Sequence, residues 1–259
     1  MYGGGYHSSR MHATTALSAI ASARECLRDE RTAFATFARR VADLEPSAGP
    51  ATGGGDGAAG VVAMRATPAD TALRRVRSCY RETVLDVRDD ADERPLADHL
   101  ASDFGRETAM AVANGNALSP PLRKSLVLGA RRATDARETV LTDLDREEAT
   151  LERVRALRTE AEPAVNTAED SLLELDFDDL LELYYTLIDL ESRAESLLEE
   201  RQDTLRPGAD TTDQPPAAIR TGVYGSLPVS HPVLADGATL VRDLRTAREQ
   251  VSAAIARRD

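Results

Sequence analysis

The stretch "HATTALSAIASARECLRDERTAFATFARRVADL", residues 12–44, decides the fold. Ala16, Ile20, Ala23, Leu27, Phe34, Phe37, Val41 and Leu44 recur at alternating spacings of four and three, with Glu30 standing where the pattern asks for one more apolar residue. A helix brings residues at that spacing onto one side, whereas a strand would need alternation at every second position. The segment is therefore predicted to be a helix offering one apolar seam to other helices. Pro46 ends it, and "PSAGPATGGGDGAAG" (46–60) reads as a flexible linker by composition.

The same pattern recurs down the chain. Thr67-Pro68 opens a second helix, with Thr67 as N-cap and Pro68 in the first turn, and its stripe runs Ala69, Leu73, Val76, Tyr80, Thr83, Val87. After the polar break "RDDADER", Pro95 starts a shorter helical stretch, "PLADHLASDFGRETAMAVA", stopped at Asn114-Gly115-Asn116. Ser119-Pro120 begins a long helix reaching about residue 162. Its seam is Leu126, Ala130, Ala133, Val140, Leu144, Leu151, Val154 and Ala161, interrupted by Arg137 and Glu147, and Pro163 is expected to kink or break it. "FDD" (177–179) announces a helix carrying Leu183, Leu187, Leu190, Ala194 and Leu197 to about Leu205. A Pro- and Gly-rich stretch reads as a long loop before a last helix with Leu240, Leu244, Ala247, Val251 and Ala254. "GVVAM" (60–64) is the only strand candidate.

These segments predict an all-α fold, an elongated antiparallel helical bundle or set of coiled-coil hairpins with no significant sheet. The expected organisation is an N-terminal heptad helix (1–45), a linker (46–66), a central helical domain (67–205), a loop (206–235) and a C-terminal heptad helix (236–259). Matching heptads at the two ends predict that the terminal helices pack near each other or on the long central pair, and a linker of this length permits that return.

Composition fits the same class. Hydrophobic residues make up 42% of the 259, but aromatics only 4% and tryptophan none, which suits helix-on-helix packing better than a sandwich or barrel. Forty-four acids against 32 bases leave a net charge of −12, and Lys124 is the only lysine. That balance reads as adaptation to a salt-filled cytoplasm, where hydrated carboxylates keep a protein soluble. Cys26 and Cys79 are isolated, without a CxxC pair, and are expected to be buried thiols in a reducing compartment. No signal-peptide core and no run of about 20 apolar residues appears, so the chain is expected to be soluble and cytoplasmic, with no membrane partner.

The stretches "VRSCYRETVLDV", "SDFG", "ARETVLTDLDREEATLERV" and "ESLLEERQDTL" carry a resemblance, strongest at "YRETV" (80–84), Phe104-Gly105, Arg201-Gln202 and "HPVLA". On these pieces the chain, over roughly residues 10–258, resembles a domain-of-unknown-function family of helical proteins from halophilic archaea. The resemblance implies helical architecture and lineage and transfers no catalytic residues.

The chemistry-bearing residues divide into a few groups. Arg74, Arg77, Arg81 and Arg88 fall on one side of a helix, flanked by Arg75. They form either an anion or nucleic-acid contact face or, more simply, one half of a set of inter-helix ion pairs. The second reading is preferred: residues 73–94 carry six arginines and six acids, and a Debye length of about 3 Å in molar salt weakens diffuse attraction to phosphate. "LADHLASDFGRETAMAVA" is faintly similar to a helix-turn-helix, with a turn at Ser102–Gly105 and Arg106 opening the second helix, but a plain helix–helix corner is the preferred reading. Phe104 is expected as a core anchor and Gly105 as the residue that permits the turn. "GGGDGAAG" lacks the ending and context of a phosphate loop. His7, His12, His99 and His231 have no mutual ligand spacing, and no Glu-x-x-His pair suggests a di-iron bundle. Glu147-Glu148 and Asp178-Asp179 read as solvated surface. Tyr184 fits the Leu stripe, Tyr185 its edge, and Tyr224 is expected to pack back over the bundle.

The expected function is accordingly a non-enzymatic helical scaffold or protein–protein interaction protein, with no cofactor and no metal. Its partner would be another protein or a second copy. The alternative is a DNA-associated regulator using residues 68–114, with Arg74, Arg77, Arg81, Arg88 and Arg106 as contacts.

Overall fold

The structure is a computed structural model that describes residues 11–46, 68–88, 93–206, 219–225 and 227–258. Seven α-helices carry it: α1 (His12–Ala42), α2 (Pro68–Tyr80), α3 (Leu96–Phe104), α4 (Arg106–Asn114), α5 (Pro120–Asp170), α6 (Phe177–Leu205) and α7 (Pro232–Ile255). Two π-helical turns, Arg81–Leu85 and Ile219–Val223, complete it. The fold is all-α, and no strand occurs among the described residues. No described helix is long and apolar enough to cross a membrane. "GVVAM", the Thr67 cap and the linker beyond Pro46 lie outside the described residues.

The chain forms two compact units, Arg24–Leu141 and a second made of Met1–Ala23 with Thr142–Asp259. α1 and α5 each supply residues to both units. In the Arg24–Leu141 unit, Phe34, Phe37 and Val41 of α1 are fully buried with Leu73, Val76 and Tyr80 of α2. Leu100 of α3, Val112 of α4 and Leu126 and Ala130 of α5 close the same core. Gly105, with φ of 84°, makes the corner between α3 and α4 in a conformation that a Cβ disfavours. Arg77 of α2 donates to the carbonyls of Val112 (2.8 Å) and Gly115 (3.3 Å), satisfying the C-terminal end of α4. Arg123 does the same for α1, donating to Ala42 (3.3 Å) and Leu44 (3.0 Å).

In the second unit, Leu180, Leu187, Leu190 and Ala194 of α6 pack with Leu240, Leu244, Ala247 and Val251 of α7 and with Leu157, Ala161 and Ala168 of α5. Gly237 lets α7 approach α6, since a Cβ there would lie 2.6 Å from Leu198 Cδ2. The N-terminus of α1 docks on the start of α7: the buried Asp236 carboxylate accepts the backbone N–H groups of His12 (3.1 Å) and Ala13 (2.7 Å). A side chain more than 220 residues away therefore caps α1 and brings the two terminal helices together, as their matched heptads predict. The N-terminus of α6 is closed locally by a capping box, with Asp179 N–H donating to Asp176 (2.9 Å) and Asp176 N–H to Asp179 (3.4 Å).

Three expectations need correction. Pro163 does not end α5, which continues to Asp170. The proline costs one backbone hydrogen bond, but Ala161 before it and Ala168 after it are both buried in one core, and that packing carries the helix on past it. The last helix begins at Pro232, four residues before the expected start, because Val233, Asp236 and Gly237 are already buried there. Cys26 is exposed, and only Cys79 is buried; neither forms a disulfide.

Gly129 of α5 supplies a test of this packing. A Cβ at 129 would sit 2.6 Å from Phe104 Cδ1, and Phe104 is pinned by three other rings, so it cannot swing away cheaply. Gly129→Ala is expected to destabilise the protein by about 1–3 kcal/mol in urea unfolding despite the higher helix propensity of alanine.

Candidate functional site

The polar residues that interrupt the helical seams are the centres of the structure's two main ion-pair networks. Glu30 of α1 faces Arg137 of α5, whose Nε and Nη2 both lie 2.8 Å from Glu30 Oε2. Arg88 approaches the other oxygen, 3.8 Å from Oε1, and donates from Nη2 to Asp103 Oδ1 at 2.9 Å. Asp103 Oδ2 accepts the Tyr80 hydroxyl. Beneath lies an aromatic cluster, with Phe104 5.6 Å from Phe37, 5.9 Å from Tyr80 and 6.4 Å from Phe34, ring centre to ring centre. The Arg137 guanidinium stacks over Phe34 at 4.5 Å and that of Arg88 at 5.6 Å, adding cation–π attraction to the ion pairs.

The π-helical turn 81–85 places Arg88 in this network. Its one extra residue, sealed by the Asp86 N–H donating to the Arg81 carbonyl at 3.1 Å, turns everything after it by about 100° relative to a plain α-helix. Thr83, Val84 and Leu85 are buried there, and the Thr83 hydroxyl returns to the Cys79 carbonyl at 2.7 Å. The single arginine face expected from regular spacing is therefore dispersed. Arg88 turns inward to Asp103, Arg77 serves the end of α4, Arg74 and Arg81 are exposed, and Arg106 is exposed at the start of α4.

The second unit repeats the device. Glu147 of α5 accepts Arg201 of α6 at 2.7 and 2.9 Å and the Tyr224 hydroxyl at 2.6 Å. Glu147 and Arg201 are 3% and 6% exposed, so both charges have left water, and Glu147 is a buried ion-pair partner instead of the solvated surface residue expected from the Glu147-Glu148 pair. Tyr224 packs back over the helices as expected and ties 219–225 to them. Nearby, Glu191 of α6 takes Arg245 (2.8 Å) and Arg248 (3.3 Å) of α7. Arg153 and Glu200, and Arg193 and Glu160, make two-pronged pairs between α5 and α6.

Burial and neighbouring charges shift the titration of several groups. Burial, then the Asp103 carboxylate, pushes the Tyr80 phenol far above its ordinary range; burial and Glu147 do the same to Tyr224. Burial works against the charge of Arg88 and is the largest single influence on it, but the hydrogen bond and charge of Asp103, with Tyr80 and Glu30 adding to them, together outweigh burial and raise it further. Burial pushes the Cys79 thiol up, away from the thiolate that a nucleophile needs. His99 is fully buried on α3 with neither ring nitrogen hydrogen-bonded among the described residues. His231 sits exposed at the N-cap of α7. No group of three or more His, Cys, Asp or Glu able to hold a metal occurs among the described residues. Sequence reasoning missed Asp103 as an acceptor, Asp236 as a distant cap and Asp179 as a capping-box member. A signal existed for the first: Asp103 adjoins Phe104, and an acid beside a core anchor is placed to meet a cation.

The fold and its networks define an all-helical domain whose internal charges are neutralised by arginine–carboxylate pairs. The chain belongs to the family described as a domain of unknown function, DUF7260, whose model matches residues 11–248. No curated protein and no solved structure matches the chain.

Two outcomes follow from the geometry. Glu147→Ala strands a buried guanidinium and is expected to cost about 3–5 kcal/mol in chemical unfolding, most of it recovered when Glu147→Leu is combined with Arg201→Met. The phenols of Tyr80 and Tyr224 bind their protons more tightly in the folded chain than in the unfolded one. Their contribution is complete below the unfolded value of about 10 and is lost as pH rises beyond it. Melting temperature is thus expected to fall from about pH 10 upward, and less steeply in Tyr80→Phe, as thermal scans at stepped pH would show.

Proposed function

We propose that this protein is a non-enzymatic helical interaction module of a salt-adapted organism, and that it associates through the apolar surface at the turn between α5 and α6. The observation that carries the reading is the exposure of Leu173 (94%), Phe177 (41%) and Tyr185 (66%) in one short stretch of the second unit. Large apolar side chains grouped on a surface are the usual mark of a contact with another protein. The internal acids and bases described above are engaged with one another, which leaves the interaction surface as the feature in search of a role. The acidic surface and the near-absence of lysine favour a salt-rich cytoplasm as its setting. A second copy is the first partner to test.

Light scattering coupled to size exclusion in molar KCl is the measurement. A dimer or larger species that reverts to monomer in Tyr185→Glu is the expected result; a monomer at all concentrations sinks self-association. Short duplex DNA in a parallel run tests the alternative, in which the exposed Arg81 and Arg106 and the α3–α4 corner serve nucleic acid. Co-elution with DNA, abolished by Arg106→Ala, would replace the proposal.

A further inference from the structure

A cavity of about 490 Å³ opens in the Arg24–Leu141 unit between the α3–α4 corner and one face of α5. Its size falls within the few hundred Å³ usual for small-molecule sites. Phe104 and Leu128 give it apolar surface, and Gly129 leaves room for the Phe104 ring. Ser102, Thr108 and Ser125 supply hydroxyls.

Two features of the lining bear on what the cavity could hold. Thr83, Thr134 and Thr139 return their hydroxyls to the carbonyl four residues back, but those of Ser102, Thr108 and Ser125 make no hydrogen bond to another described residue. The charges are also unequal. Asp103 has one oxygen taken by Arg88 and the other by Tyr80, and Arg137 is held by Glu30, so these groups are internally neutralised. Arg132 lines the same cavity, is exposed, and has no carboxylate partner among the described residues.

One unmatched guanidinium, three free hydroxyls and an aromatic wall suit a monoanion with an apolar body. A phosphate dianion would call for more positive charge than one open arginine supplies, and would leave the Phe104 and Leu128 surfaces uncovered. A guanidinium pairs a carboxylate in a two-pronged fork, and the hydroxyls can meet the remaining lone pairs. We infer that this cavity, built from Ser102, Phe104, Thr108, Ser125, Leu128 and Arg132, is a binding site for a small organic carboxylate with an aromatic or branched apolar body. The inference is independent of the association surface, which lies in the other unit.

The test uses the full chain with benzoate as probe and benzyl alcohol as its neutral counterpart, followed by saturation-transfer NMR titration. Benzoate is expected to bind and benzyl alcohol not to at equal concentration. Arg132→Gln, whose site is exposed and whose fold is checked by circular dichroism, should weaken benzoate roughly tenfold or more. Arg75→Gln, an exposed arginine outside the cavity, should leave affinity unchanged. Absence of benzoate binding overturns the site, as does equal binding of benzyl alcohol or an equal loss in Arg75→Gln. Inorganic phosphate that displaces benzoate at equal concentration overturns the carboxylate assignment.

Discussion

Glu30 occupies a seam position of α1 that helix packing reserves for an apolar side chain, and the Arg24–Leu141 unit is arranged around neutralising it. A carboxylate removed from water costs several kcal/mol unless cations and donors meet it at short range. Arg137 supplies that partner from α5 and stacks on Phe34 of the same seam, so one side chain serves both the ion pair and the apolar face. Arg88 then bridges Glu30 to Asp103, and Asp103 holds Tyr80, which closes the aromatic cluster. Four segments distant in sequence are thereby brought to one register. Apolar seams alone would tolerate sliding by a turn; a pairing with fixed donors and acceptors does not.

Glu147 plays the same part in the second unit. It breaks the seam of α5, takes Arg201 from α6 and receives the hydroxyl of Tyr224, so the segment 219–225 is tied to the helices by the same carboxylate that aligns them. Such pairs suit a concentrated salt solution. Screening there acts within about 3 Å, which removes diffuse attraction between surface charges but leaves buried contacts at 2.6–2.9 Å with no intervening water. Arginine serves such buried pairs better than lysine, because a planar fork holds two acceptors in fixed geometry and sheds its hydration more readily than an ammonium.

The arginines between residues 74 and 88 thus have divided roles. Arg77 completes a helix terminus and Arg88 a core network, while Arg81 stays at the surface. What is left over chemically is small and local. It consists of an apolar surface at the α5–α6 turn and a cavity where Arg132 stands without a carboxylate such as the one Arg137 of the same lining has in Glu30.

The helices were legible in the chain before any contact was known, because a 3.5-residue apolar repeat and local stop signals are properties of neighbouring residues. Ala16, Ile20, Phe34, Phe37 and Val41 are buried as their spacing demands, and so are Leu240 through Ala254 of α7. The sequence also marked Glu30, Arg137 and Glu147 as interruptions, and the Phe104-Gly105 pair as anchor and corner. What the interruptions were for emerged once the helices were packed. Which cation meets which acid depends on contacts between residues some 50 to 110 positions apart, and no periodicity encodes that pairing. The continuation of α5 through Pro163, the cap that Asp236 provides to α1 and the π-helical turn that redirects Arg88 share this origin. In each, the energy of packing against a distant helix outweighs a local preference of a few kcal/mol, and local preference is all that a single sequence displays.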